Sequence, residues 1–416
     1  MTVPVERFFG WTVVLAAFII AIFGWGVGFY GPPIYLKAVQ DARGWSVALV
    51  SAAVTVHFLF GALVVANLPR LHRRFGLASV TLGGAVLLAL GVAGWAMATA
   101  PWQLFLATLF SGAGWVAMGA AGINAMVSPW FVRRRPAALS MAYNGASVGG
   151  VIFSPLWVAL IGWGGFPLAA WAVGLVMVSV VLFLARSVLR HTPEAMGVLP
   201  DGEVQPAALA ASATLAGLPL AFPLAGSPWR DRAFLTLALG MALGLFAQIG
   251  LIAHLFSMLV PALGAAGAGW AAGMGTAAAI AGRLLVGWCM PASADRRWVG
   301  ALNYGVQMLG CLALFLADGS DTALLLAGVL LIGLGIGNAT SMPPLIAQVE
   351  FSRADVGRVV ALITATSQAA YAFAPAAFGL VREWGGAGLG FFVIAAAIQL
   401  MAAICYLSGR GAFLRR

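Results

Sequence analysis

Charged side chains are scarce in this sequence of 416 residues, of which 8% are Asp, Glu, Lys or Arg and 62% are hydrophobic. A soluble protein of this size carries roughly 25% charged residues, so the composition excludes an ordinary soluble domain. Apolar runs of about 20 residues recur along the chain, the length that a helix needs to cross a bilayer core. The runs do not alternate as barrel strands do. The sequence therefore predicts an all-α polytopic membrane protein.

Residues suited to catalysis or metal binding are also few. The three cysteines, Cys289, Cys311 and Cys405, fall in apolar segments without metal-ligand spacing, so core packing explains them. A membrane-embedded enzyme would need a nucleophile with a base, or a cluster of ligands. The apolar segments hold two histidines, His57 and His254, and no carboxylate. We therefore expect no enzymatic activity, no metal and no cofactor.

Twelve apolar segments are predicted to be transmembrane helices, six on each side of one long polar connection. The predicted helices lie near residues 11–36, 45–68, 78–98, 102–128, 137–160, 167–188, 232–258, 268–290, 298–317, 323–347, 358–380 and 388–408. The sequence thus predicts an N-terminal six-helix bundle (1–188), a central loop (189–231) and a C-terminal six-helix bundle (232–416).

Basic residues are concentrated in alternate loops. With the amino terminus inside, most of the 22 Lys and Arg residues lie on the cytoplasmic side, against Lys37, Arg43 and Arg382 outside. This bias follows the positive-inside rule and predicts that both termini are cytoplasmic. It also accounts for the net charge of +10, so nucleic-acid binding has no support. We expect a monomer in the lipid bilayer of a bacterial plasma (inner) membrane.

Arg283 lies within an apolar stretch, residues 270–290, and no acidic residue occurs between Leu251 and Ser293. An arginine at the membrane centre costs roughly 2.5–3.5 kcal/mol on insertion scales, so such residues usually face a wet cavity. A guanidinium without a nearby protein carboxylate suits the carboxylate of a ligand. Arg283 is therefore predicted to bind a small organic anion near the midplane.

The two halves of the chain repeat each other in register. The matching pairs are Gly44-Trp45 with Gly269-Trp270, Asn124 with Asn338, Pro129 with Pro343, and Pro155 with Pro375. Two similar six-helix bundles, related by an axis along the membrane normal and with a site between them, define the major facilitator design.

Several motifs extend this likeness to a family. They are Phe9-Gly10-Trp11, Gly44-Trp45-Ser46, Pro129-Trp130-Phe131 with Arg133-Arg134-Arg135, Arg190-His191-Thr192-Pro193-Glu194, Pro200-Asp201-Gly202 and Gly282-Arg283-Leu284. On these motifs the chain resembles a major facilitator superfamily transporter over essentially its whole length. More narrowly, it is similar to the monocarboxylate transporter and oxalate/formate antiporter branch. The resemblance implies a major facilitator fold and gives Arg283 the position of the family's substrate arginine.

The sequence departs from the family pattern in two informative places. In the loop 2–3 signature, Pro69 replaces the leading glycine and Arg73 replaces the aspartate, which puts the usual cytoplasmic gate pairing in doubt. The dicarboxylate exchangers of the branch carry a lysine in helix 11, and the predicted helix 11 has only Arg358, at its cytoplasmic mouth. A single cation favours a substrate with one negative charge, because a second buried carboxylate would be left without a partner.

Other side chains are candidates for the same site. Gln368, Tyr371, Tyr143, Asn124 and Asn338 are predicted to line it and to donate or accept hydrogen bonds. His254, and second His57, are the candidates for a coupled proton, because only histidine titrates near neutral pH. Each histidine has the alternative role of hydrogen-bonding a neighbouring helix.

The predicted function is secondary active transport of a small organic anion, such as lactate or pyruvate, by alternating access and with a proton. The alternatives are anion exchange and transport of a larger amphipathic metabolite or drug. A receptor or scaffold would need neither the buried arginine nor the twofold repeat. The glycine-rich stretch 333–337 is predicted to serve close helix packing rather than nucleotide binding, because no strand precedes it.

Overall fold

The computed structural model describes residues 8–202, 227–291, 293–384 and 389–411. Thirteen α-helices account for most of this described part. They are α1 (Gly10–Gly28), α2 (Pro32–Arg43), α3 (Val47–Phe75), α4 (Leu77–Met97), α5 (Pro101–Met118), α6 (Ala120–Val127), α7 (Arg135–Leu184), α8 (Arg232–Cys289), α9 (Arg296–Leu316), α10 (Thr322–Glu350), α11 (Arg353–Tyr371), α12 (Ala374–Trp384) and α13 (Leu389–Ser408). The predicted all-α fold is confirmed.

Ten stretches of the described chain are long and apolar enough to cross a membrane. Two of them, Ala137–Leu189 with 53 residues and Arg232–Cys289 with 58, have about twice the length that one crossing needs. A glycine with positive φ interrupts each: Gly165 at φ 78° in α7 and Gly264 at φ 67° in α8. Glycine adopts this backbone conformation without steric penalty. Each stretch therefore supplies two crossings, which gives the twelve predicted.

Three of the predicted membrane segments consist of two helices each, namely α1 with α2, α5 with α6, and α11 with α12. Pro32 follows the first break and Pro375 the third. By contrast, α7 continues through Gly145, Gly149 and Pro155, and α10 continues through Pro343 and Pro344. The break between α5 and α6 falls instead at Gly119, whose φ of −82° and ψ of −165° are extended.

Three predicted boundaries need correction. Helix 1 is predicted to end near residue 36 and helix 2 near 68, but α2 continues to Arg43 and α3 to Phe75. Helix 11 is predicted to end near residue 380, and Arg382 is predicted to lie in an outside loop. In the structure α12 continues to Trp384, so Arg382 and Glu383 are helical. Helical hydrogen bonds persist beyond the last apolar residues, which is why hydropathy places the end too early.

The described residues form two compact units: unit 1 contains residues 8–38 and 56–202, and unit 2 contains 39–55 and 227–411. In unit 1, α1 packs against α7, and α4 packs against both α5 and α7. In unit 2, α8 packs against α10, α11 and α13, and α9 packs against α10 and α13. The predicted domains, 1–188, 189–231 and 232–416, remain a prediction.

Large apolar side chains are exposed along helices of both units. Leu175 in α7 is 70% exposed, and Trp288 and Trp384 at the ends of α8 and α12 are each 81% exposed. A water-facing surface of this kind would be an association site. On a multi-pass membrane protein it faces lipid, with tryptophan favoured at the interfaces.

Candidate functional site

Arg283 lies in the second part of α8, after the break at Gly264, and is half-buried against α10. Its Nε donates to the backbone oxygen of Gly337 at 3.4 Å. The helices approach closely because glycines meet backbone here. A Cβ on Gly282 would lie 2.0 Å from the oxygen of Leu334, and one on Gly337 would lie 2.4 Å from the oxygen of Ala279. The predicted packing role of the 333–337 glycines is confirmed.

Asn338 reciprocates the contact of Arg283. Its Nδ2 donates to the backbone oxygen of Gly282 at 3.2 Å, so each helix sends one side chain to the backbone of the other. Asn338 is 2% exposed, and its Oδ1 has no hydrogen-bond partner among the described residues. A buried amide oxygen without a donor costs roughly 1–3 kcal/mol. Asn338 Oδ1 is thus an unused acceptor next to the helix segment that carries Arg283.

The stretch of α10 around this contact is polar. Thr340 Oγ1 and Ser341 Oγ both donate to the oxygen of Gly337, at 3.3 and 3.1 Å. Pro343 and Pro344, inside the same helix, supply no backbone N–H. One carbonyl thus receives donors from Arg283, Thr340 and Ser341. This arrangement gives unit 2 a cluster of donors, with one cation, between α8 and α10.

His254 lies in the first part of α8 and is fully buried. Its Nε2 lies 3.0 Å from the backbone oxygen of Pro375, and its Nδ1 lies 3.3 Å from Nη1 of Arg382. A carbonyl only accepts and a guanidinium only donates. His254 is therefore neutral in this arrangement, with its proton on Nε2 and Nδ1 as the acceptor.

His254 and Arg283 occupy different depths. At a rise of 1.5 Å per residue, His254 lies about 15 Å along its helix from Gly264, whereas Arg283 lies about 28 Å from the same glycine. Their contacts differ accordingly, since His254 meets α12 and Arg283 meets α10. The structure does not bring these two predicted site residues together in a hydrogen bond.

Gln368 and Tyr371 lie one turn apart in α11. The Tyr371 ring packs against the main hydrophobic cluster of unit 2, which includes Met241 and Leu245. These contacts place α11 beside the first part of α8, whereas Arg283 lies in the second part, after Gly264.

Two candidate residues of unit 1, His57 and Tyr143, hydrogen-bond backbone oxygens at helix breaks. His57 is 1% exposed, with Nε2 2.9 Å from the oxygen of Gly28, the last residue of α1. Its Nδ1 lies 2.8 Å from Ser111 Oγ, which accepts from Trp95 Nε1 at 3.1 Å. Both ring nitrogens are thus engaged by neighbouring helices. The sequence had left this alternative open for His57.

Tyr143 acts in the same way at a second break. Its hydroxyl donates to the oxygen of Ala120 at 3.0 Å, directly after the extended residue Gly119. Its ring meets Trp25, with centroids 6.4 Å apart. Asn124 is exposed, and its Oδ1 accepts from Ser128 Oγ at 2.8 Å, within the same short stretch of chain.

Sequence analysis missed a buried ion pair in unit 2. Arg297, 1% exposed, donates from Nε and Nη2 to both carboxylate oxygens of Glu350, at 2.6 and 2.8 Å. Arg297 opens α9 and Glu350 closes α10. Since both residues stand at ends of apolar segments, hydropathy assigns them to the loops. Their burial depends on contacts between helices.

Three stretches that support the family resemblance meet at one end of unit 1. Phe8 packs edge-on against Trp130 and Phe131, and Phe9 packs against His191. In addition, the Asp201 carboxylate accepts from the backbone N–H groups of residues 132, 133 and 134, at 3.1, 2.8 and 3.1 Å. These motifs therefore build one structural assembly.

The pKa of Asp201 reflects this setting. Its slight burial raises the pKa, but the three backbone donors and the charge of Arg133 together outweigh that effect. The pKa consequently lies below the ordinary value for an aspartate.

Comparison with known proteins gives three kinds of match. The chain matches the Major Facilitator Superfamily over residues 13–375. It is 28% identical over 432 aligned positions to human monocarboxylate transporter 11, covering 97% of this chain and 83% of that protein. It is also 28% identical over 163 positions to the fujikurins efflux protein of Gibberella fujikuroi, covering 38% and 34% of the two chains.

Among solved structures, the nucleoside transporter NupG superposes with a TM-score of 0.74 at 13% identity, covering 95% of this chain and 98% of that chain. At this level of identity the likeness concerns the fold alone. The comparisons agree with the all-helical membrane architecture described above.

Proposed function

The chain belongs to the Major Facilitator Superfamily, and on that premise we propose that this transporter moves a small monocarboxylate such as lactate or pyruvate. The observation that carries the proposal is Arg283, a half-buried cation in a membrane helix that contacts α10 through a backbone carbonyl. A planar guanidinium offers a carboxylate two parallel hydrogen bonds. The match to a human protein named a monocarboxylate transporter supports the same substrate class.

Other candidate groups of unit 2 suit the rest of such a substrate. Asn338, Gln368 and Tyr371 lie on α10 and α11, which both pack against α8. Their amide and hydroxyl groups serve the hydroxyl or ketone of a 2-hydroxy or 2-oxo acid. Tyr143 and Asn124, which the sequence also predicts as substrate contacts, lie in unit 1, where they bond Ala120 and Ser128.

A proton accompanies the anion in this proposal, and His254 holds it. To take a proton on Nδ1, His254 must lose the Arg382 contact, since two cations would otherwise lie 3.3 Å apart. Proton uptake would therefore be tied to a movement of α12 relative to α8. His57 is the second candidate, and its protonation would disturb only the hydroxyl of Ser111.

The mechanism proposed is alternating access in a plasma membrane, the bacterial inner membrane by composition, with both termini on the cytoplasmic side. In that mechanism the carrier exposes its site to one side of the membrane at a time. Cysteines placed at Lys37 and at Arg134 should change accessibility in opposite directions when substrate is added. Parallel changes would argue against it.

Uptake by purified protein in liposomes tests the substrate class. Labelled lactate should accumulate when the outside is acidified, and unlabelled pyruvate should compete more strongly than oxalate or succinate. Stronger competition by the dicarboxylates would refute the single-charge argument. Accumulation that needs a trans anion instead of a pH gradient would indicate exchange.

A second candidate function is export of a larger amphipathic metabolite, which the partial match to an efflux protein supports. The same liposomes distinguish it. An exporter of that class should leave labelled lactate outside and should extrude a hydrophobic acid that was loaded inside.

His254→Gln tests the proton role. The variant should still exchange labelled for unlabelled lactate but should lose accumulation driven by a pH gradient. Intact accumulation would remove His254 from the proposal while leaving symport possible through His57 or through the neutral acid.

A further inference from the structure

Unit 2 contains a second half-buried arginine, Arg382 in α12, far along the chain from Arg283. One of its nitrogens, Nη1, is held by two neutral groups of α8: Ser257 Oγ at 2.6 Å and His254 Nδ1 at 3.3 Å. A guanidinium has five N–H donors. Within the described residues, its Nε and Nη2 donors have no hydrogen-bond partner.

The donors that remain form the edge of the guanidinium which binds carboxylates in a bidentate manner. The two contacts at Nη1 fix the plane of the group, so that this edge is presented in a constant orientation. The His254 ring is fixed in turn by Pro375 on one side and lies edge-on to Phe391 on the other. Arg382 is therefore a positioned cation rather than a mobile surface side chain.

The adjacent carboxylate, Glu383, is engaged elsewhere. Its Oε2 accepts from the backbone N–H of Ala48 at 3.1 Å, in the first turn of α3. This N-terminal position is favourable for a negative charge. Thr55 Oγ1 accepts from the N–H of Ala376, which adds a second bond between the two helices. Glu383 thus stabilises α3 instead of neutralising Arg382.

We propose that Arg382, held by Ser257 and His254, is a separate docking site for a small carboxylate. It would lie on the side of the membrane at which α8 turns at Gly264. The carboxylate binds Nε and Nη2 while Nη1 keeps its two contacts, so docking requires no rearrangement of the histidine. In this arrangement Arg382 collects the anion and Arg283 holds it during transport. The identity of the ligand as a carboxylate rests on the proposed function, whereas the existence of an anion site does not.

Chemical modification of arginine in the intact purified protein tests this site. Phenylglyoxal should modify Arg382, and mass spectrometry of its peptide should show several-fold slower modification when lactate or acetate is present. Lactamide, which has the shape of lactate without the charge, should not protect. Arg43, which is exposed at the end of α2, is the internal control and should react equally in all conditions.

Two variants separate this proposal from the proposed function. In Arg283→Gln, transport should fail while acetate still protects Arg382. In Ser257→Ala, which removes the 2.6 Å contact, protection should weaken, and the KM of uptake should rise with little change in the maximal rate. Protection by acetate in a protein that transports no lactate would keep the docking site and reject the proposed function.

Three results would overturn the proposal. They are an Arg382 that does not react, modification at the same rate with and without carboxylate, and equal protection by lactamide. Loss of protection in Arg283→Gln would also overturn it, because the two arginines would then belong to one site.

Discussion

The helix breaks of unit 1 and the contact between α8 and α10 in unit 2 use polar side chains inside the membrane for different purposes. In unit 1, His57 and Tyr143 each reach a backbone carbonyl at a helix break, Gly28 and Ala120. In unit 2, Arg283 and Asn338 cross between two continuous helix segments. A bilayer supplies no water to a backbone carbonyl that has lost its helical hydrogen bond. A broken helix therefore needs a side-chain donor at the break, whereas an unbroken helix does not.

This difference shows which polar residues retain capacity for a ligand. The bonds of His57 are matched, since Nε2 meets a carbonyl and Nδ1 meets a hydroxyl. Within the described chain, buried polar atoms without partners are more numerous in unit 2, where they are Gln248 Oε1, Tyr304 Oη, Gln307 Nε2, Asn338 Oδ1 and Tyr406 Oη, than in unit 1, where the atom is His72 Nε2. The sequence alone gives no reason to prefer one of these intramembrane polar groups over another as a ligand contact. The hydrogen-bond pattern shows which of these groups have their bonds completed by neighbouring helices.

The largest expected effect on stability concerns the buried ion pair of unit 2. Arg297→Met leaves the Glu350 carboxylate buried, which should cost roughly 3–5 kcal/mol. Thermal unfolding in detergent measures the loss, and adding Glu350→Leu should restore much of it. The pair between Arg410 and Asp295 has side chains 51% and 39% exposed. Its loss in Arg410→Gln should cost no more than about 1 kcal/mol. Equal losses in the two single variants would contradict this account.

A smaller effect is expected at the repaired break in unit 1. His57→Leu leaves the Gly28 oxygen without its donor, at a cost of about 1–3 kcal/mol. Ser111 can turn its proton towards the oxygen of Thr108, which lies 3.3 Å away, so the second loss is small. The variant should therefore unfold at a lower temperature, while its pH-driven uptake per folded molecule is retained. If His57→Leu had normal stability but lost proton coupling, His57 and not His254 would hold the proton. The bond of His57 to Gly28 would then not be a structural repair.

The smallest effect is expected at Asp201, which is half-buried. Because its folded-state pKa is lowered, its stabilising contribution is present above the ordinary aspartate pKa and is lost as the pH falls through the folded value. Asp201→Asn should raise hydrogen exchange at the backbone amides of residues 132–134, relative to their intrinsic rates. Acidified wild-type protein should approach the variant. Asparagine tolerates the positive φ of 64° at this position, so the substitution removes the charge without straining the backbone. Unchanged exchange would mean that the carboxylate does not hold these amides.

The sequence predicts the helices well because membrane crossing imposes a length and a composition that can be counted. It also predicts that the glycine-rich stretch of α10 serves close helix packing. It does not predict that Glu350 is buried, that Arg382 bonds His254 or that Asp201 binds the amides of residues 132–134. These features depend on bonds between residues 53 to 128 positions apart, such as that of Arg297 with Glu350 or of Arg382 with His254. No local pattern encodes such pairs.

The assignment of the substrate anion to Arg283 in unit 2 is tested most directly by binding of labelled lactate to purified wild-type protein, Arg283→Gln and Arg283→Lys. Size-exclusion profiles should confirm equal folding of the three proteins. Binding and uptake should be lost in Arg283→Gln and severely impaired in Arg283→Lys, because an ammonium keeps the charge without the planar fork. Lactate binding and uptake near the wild-type level in Arg283→Gln would contradict the account.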